Sequence, residues 1–153
     1  MGEGQLGDGQ ISVRLREMLE YIEEQVRRGD AAGIDFSEVE EMLAAARVMI
    51  DTGELDDAAE LLNTCIQKAS QRSSEFDRLM MGIRKAEKSI KEAHDSGRDV
   101  VQACTHLRLA REHLERGEYI MGMESAKLAS EAAMKKAHAE IAWGSGLSET
   151  SVE

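Results

Sequence analysis

The chain has 153 residues, a net charge of −11, 32 % charged residues, 3 % aromatics and no proline. Such acidity opposes phosphate backbones, so nucleic acid is not an expected partner. No apolar run approaches the about 18 residues that a membrane span needs, and 3 % aromatics leave little to line a catalytic pocket.

The chain opens on Met1 to Gln10, where Gly2, Gly4, Gly7 and Gly9 leave little to bury and no signal-peptide pattern shows. Residues 1–10 therefore read as a disordered leader. A first helix is expected from Ile11 to Arg28, with Leu15, Leu19, Ile22 and Val26 on its apolar stripe and Gly29 closing it. A second is expected from Phe36 to Thr52, with Asp35 and Glu38 spaced as a capping box.

From Glu54 to Ser96 the apolar positions keep steps of three and four, through Leu55, Leu62, Cys65, Leu79, Ile83 and Ile90. A single helix of this length would measure roughly 60 Å. It reads as a spine shared by two halves, either continuous or kinked at the polar stretch Gln71 to Ser74. A fourth helix is expected from Asp99 to Arg116, with Ala103, Cys104, Leu107 and Ala110 inward. A fifth runs from Glu118 to Ala142, and residues 143–153 form a small-residue acidic tail.

The halves align at an offset of 64 residues. Gly33 falls on Gly97, Asp35 on Asp99, Leu43 on Leu107, Arg47 on Arg111, Gly53 on Gly117 and Ala69 on Ala133. Two glycines and an aspartate at matching helix ends are not expected of amphipathic helices aligned by chance. The fold class is therefore all-α, a tandem helical repeat of two three-helix units (residues 11–70 and 74–142) sharing the long helix.

The hairpin closing each unit reads Ala46, Gly53, Leu55, Ala58, Leu62 and Cys65 in the first, and Ala110, Gly117, Tyr119, Gly122, Ala126 and Ala129 in the second. It resembles a tetratricopeptide hairpin, which implies close packing of the two helices, an architectural likeness. The 64-residue period and the missing closing proline differ from that family's arrays. The shared helix is similar to the way spectrin joins its bundles.

No motif points to chemistry. His94, His106, His113 and His138 form neither an ExxH nor an HxxxH pair, so no metal is expected. A phosphotransfer histidine is disfavoured by the context of His106. The basic residues Arg84, Lys85, Lys88 and Lys91 alternate with Glu87 and Glu92 and read as a solvated face. Cys65 and Cys104 lack CxxC neighbours and read as buried, reduced thiols of a cytoplasmic protein. No phosphate loop, dinucleotide fingerprint or nucleophile elbow occurs, so neither an enzyme nor a cofactor is expected.

The nine methionines fill a helical core or form an adaptable groove. The leading expectation is a scaffold or adaptor that presents an apolar hairpin surface to another protein, through Tyr119, Met121, Met123 and Trp143. Self-association through helix faces, as an architectural coiled coil, is the first alternative, and a small helical metal-binding protein or enzyme is the more remote one.

Overall fold

In a computed structural model, which describes residues 7–134, the chain is all-helical, with no strand among those residues. The helices are α1 (Asp8–Ala31), α2 (Ser37–Asp51), α3 (Leu55–Asp95), α4 (Val101–Glu115) and the described part of α5, residues 119–134. Contacts divide the chain into two compact units, Met1–Ser74 and Glu75–Glu153. The division falls within α3, which passes residues 71–74 as unbroken helix. Serine there is a mediocre helix residue and does not break the hydrogen-bond ladder.

The first unit packs α1, α2 and the first part of α3 around large aliphatic side chains. Leu15, Leu19, Ile22, Val39, Leu43 and Leu62 are all buried, with Phe36 between them. The second unit, built from the rest of α3 with α4 and α5, has a leaner core. Leu79, Ile83, Leu107 and Tyr119 are buried among alanines 86, 93, 103, 110, 126, 129 and 133. Small residues let helix axes approach closely, but each buries less apolar surface than a leucine.

Four helix ends use glycine at positive φ: Gly33 (94°), Gly53 (83°), Gly97 (79°) and Gly117 (75°). At the end of α1, Ile34 N–H donates to Gly29 O at 2.9 Å and Gly33 N–H to Asp30 O at 3.0 Å, the pair of bonds that closes a Schellman end. The same bonds recur 64 residues on, from Arg98 to Ala93 O at 3.0 Å and from Gly97 to His94 O at 2.9 Å. Asp35 Oδ1 accepts Ser37 N–H at 3.1 Å, and Asp99 Oδ1 accepts Val101 N–H at 3.0 Å. The ion pair Arg47–Glu23 likewise has a counterpart in Arg111–Glu87.

Several expectations change. Helix α1 starts at Asp8, inside the proposed leader, and runs through Gly29. Gly29 is buried in the helix against the ring of Phe36, so it makes room for a contact and ends nothing. The N-cap of α2 is Phe36, one residue after Asp35. Glu38 pairs with Lys68 instead of completing a capping box. Cys104 is exposed, because it lies about 100° round the helix from the buried Ala103. Residues 1–6 of the leader, the end of the fifth helix and the tail lie outside the described residues.

Candidate functional site

The four residues expected to bind a partner are separated by the structure. Tyr119 is 1 % exposed and meets Phe76 edge-on, with ring centroids 5.6 Å apart and planes at 72°. Among the described residues it is the largest fully buried side chain, and it belongs to the core of the second unit. Met123 is half-buried and Met121 is exposed. Trp143 lies outside the described residues.

Other apolar side chains of the same hairpin are exposed as well. On α5, Ile120, Met121, Leu128 and Met134 are exposed, and Val101 and Leu109 are exposed on α4. Scattered apolar residues on a protein surface are ordinary. Here the first unit supplies an internal comparison, since its hairpin has the same glycines and loop hydrogen bonds. At the corresponding positions it carries Asp56 for Ile120, Asp57 for Met121, Thr64 for Leu128, Ser70 for Met134 and Ser37 for Val101. All five are exposed. At these five places one hairpin is polar and the other apolar, although the first hairpin exposes Val48 and Ile66 elsewhere. Ile120 and Leu128 carry no signal in the helical periodicity, because both lie off the inward stripe. The offset of 64 carried the signal.

The hairpins also differ in how their outer edge is closed. Lys68 of α3 bridges to Glu38 of α2 in the first unit. The corresponding pair in the second unit is Ala132 and Gln102, which bear no charge. At the turn of the second hairpin, His113 Nδ1 lies 3.1 Å from Glu118 Oε1, tying α4 to the residue before α5.

The first unit has concavities of its own. A groove of about 360 Å³ between α1 and α3 is lined by Tyr21, Ile22, Gln25, Phe36, Ile66 and Ala69 with Ser70 and Ser73. A cleft of about 280 Å³ between α1 and α2 is lined by Glu23, Arg27, Asp30, Glu40 and Arg47 over Val26, Leu43 and Ala44.

Across that cleft the Glu40 carboxyl is held above its ordinary range, first by its hydrogen bond with Asp30, then by desolvation and by the charges of Asp30 and Asp35. Asp35 is shifted the other way, because Ser37 donates to it through both hydroxyl and backbone and Arg72 faces it. The two have opposite consequences for stability. Glu40 favours the fold when protonated, and that contribution fades as pH rises from about 4.3 through its raised folded value. The Asp35 contribution is present above about 3.9 and fades as pH falls through its lowered folded value. Glu40→Gln is therefore expected to stabilise the protein near neutral pH by about 0.5 kcal/mol, the scale of exposed charge pairs. The gain should vanish below about pH 4. Urea denaturation at both pH values checks this; an equal gain at each would remove the Asp30 contact as its cause.

The remaining chemistry-bearing groups are dispersed. His94, His106 and His113 converge on no common centre, and no group of three or more metal-ligating side chains is placed to hold an ion among the described residues. His138 lies outside them. Burial raises the Cys65 thiol above its ordinary range. No described helix is long and apolar enough to cross a membrane. Comparison of the chain with protein-family models, with curated proteins and with solved structures finds no match.

Proposed function

We propose that this chain is a non-enzymatic helical interaction module that binds another protein through the exposed apolar face of its α4–α5 hairpin. One observation carries the reading. Ile120, Met121, Leu128 and Met134 are exposed where the matching hairpin of the first unit carries Asp56, Asp57, Thr64 and Ser70. Those polar residues show that the scaffold does not need apolar side chains there to fold. Glu124 and Glu131 separate Met121 and Leu128 from Ile120 and Met134 on the helix surface, so the strip that suits a helix laid along it is the one through Met121 and Leu128. Met121 and Leu128 are seven residues apart, the repeat of a helix–helix seam. Both cysteines are unpaired, which supports a reducing compartment, and the cytoplasm is the proposed location.

The test uses a synthetic amphipathic helix of about three heptads, with leucine at the seam positions and glutamine beside them. Wild-type protein should bind it in a fluorescence anisotropy titration. The double variant Met121→Asp/Leu128→Asp should bind about tenfold more weakly or worse, a loss of at least 1.4 kcal/mol. Helix content by circular dichroism should stay unchanged, because both side chains are exposed. Equal affinity in the double variant would move the interface elsewhere.

A further inference from the structure

The apolar face of α5 carries its own charge pattern. Met121, Ser125, Leu128 and Ala132 follow one another at steps of four, three and four, which is the spacing of a coiled-coil seam. Met121 is 53 % exposed and Leu128 47 % exposed, while Ser125 and Ala132 are half-buried. On one side of the seam the helix turns into its own core, through the buried residues Gly122 and Ala129. On the other side lie Glu124 and Glu131, exposed and seven residues apart. In heptad terms these are the flanking positions whose charges choose a partner helix. Lys127 sits farther round the helix, outside the two glutamates.

We propose that this face is selective for a helix of another protein that carries lysine or arginine beside its apolar seam. The proposal rests on the reading of α5 as a docking face and adds the chemistry of the occupant. Charge complementarity is the reason for choosing this occupant over a second copy. In an antiparallel pair of α5 helices, flanking positions of the same type face each other. Glu124 would then lie beside Glu131 of the second copy, and like charges disfavour that pairing. In a parallel pair Glu124 would lie beside Ala129 of the second copy, which offers no cation. A basic helix supplies two cations where the seam presents two carboxylates. The net charge of −11 on the chain also steers cationic segments toward it.

The experiment uses the full chain and three versions of the same leucine-seam peptide, with lysine, glutamine or glutamate at the flanking positions. Wild-type protein is expected to bind the lysine peptide about tenfold more tightly than the glutamate peptide, with glutamine between and the difference shrinking in salt. In the variant Glu124→Lys/Glu131→Lys the preference should reverse, although the chain stays net acidic. That reversal separates two local carboxylates from the general charge of the protein. An unchanged order in the variant overturns the proposal, because long-range attraction alone would then explain the preference. Equal binding of all three peptides also overturns it, and leaves the apolar docking face standing. Binding of none would remove the docking face as well. A wild-type dimer in a light-scattering concentration series, lost in Leu128→Asp, would assign the face to a second copy and overturn the proposal in that direction.

Discussion

Gly29→Ala should destabilise the protein by about 2 kcal/mol, even though alanine is the better helix former by about 1 kcal/mol. The reason is the ring of Phe36. A Cβ on Gly29 would overlap Cε2 of that ring and lie 2.8 Å from Cδ2. Phe36 is 3 % exposed and packed in the core of the first unit, so the ring must leave its place and give up those contacts to admit the Cβ. The second unit contains the natural solution to the same contact. There the corresponding residues are Ala93 and Val100, a larger residue on the helix and a smaller one opposite, packed in one cluster. Phe36→Val alone should also cost about 2 kcal/mol, for the cavity it leaves. Combined with Gly29→Ala it should cost clearly less than the two losses added together, with a coupling of about 1–2 kcal/mol. Urea denaturation of the four proteins gives the cycle. Additive losses would mean that the ring and the glycine are not in contact, and a neutral Gly29→Ala would mean that the core yields.

Tyr119→Ala should cost about 3–5 kcal/mol, the range for truncating a buried aromatic side chain. The second unit has few large side chains to share that loss. Its core is mostly alanine, and Tyr119 with Phe76 supplies the described aromatic contact. The damage should appear as lost hydrogen-exchange protection in residues 75–134 at denaturant concentrations where residues 8–74 remain protected. Met121→Asp, two residues along the same helix, should change stability by less than about 0.5 kcal/mol because the side chain is exposed. The contrast separates core from surface within a single turn of the helix. If Tyr119→Ala left stability intact and Met121→Asp unfolded the protein, the assignment of the two faces of α5 would be inverted.

Much of this was readable beforehand because it follows from periodicity. The buried positions Leu15, Leu19, Ile22, Val39, Leu43 and Leu62 keep helical steps, and burial repeats with the turn of the helix. Gly53 and Gly117 stood where an apolar stripe stopped, and both take the positive φ of a helix end. Gly29 looked the same in sequence, yet its role depends on Phe36 beyond the loop, and no local pattern reports a tertiary contact. Cys104 was misplaced because neighbouring residues on a helix differ by about 100° in direction, and Ala103 takes the inward place. Tyr119 shares the stripe of Met123, Ala126, Ala129 and Ala133, and its place there puts it in the core and not on the expected binding surface. Its match with the half-buried, core-packed Leu55 argued for the core. Met121 was legible as the methionine off the inward stripe. The rest of its face needed the two hairpins set against each other, because an exposed leucine such as Leu128 means little until its counterpart is seen to be a threonine.

The unbroken course of α3 bears on how the protein folds. Starting a helix is the costly step, since several residues must be fixed before the first hydrogen bond forms, whereas each added residue then brings one bond. Residues 55–74 consolidate against the larger aliphatic core. Residues 75–95 can then grow from that established end without a new start. The alanine-based core of residues 75–134 thus has only α4 and α5 left to initiate. A thin core then has less to offset, because one of its three helices need not be started separately.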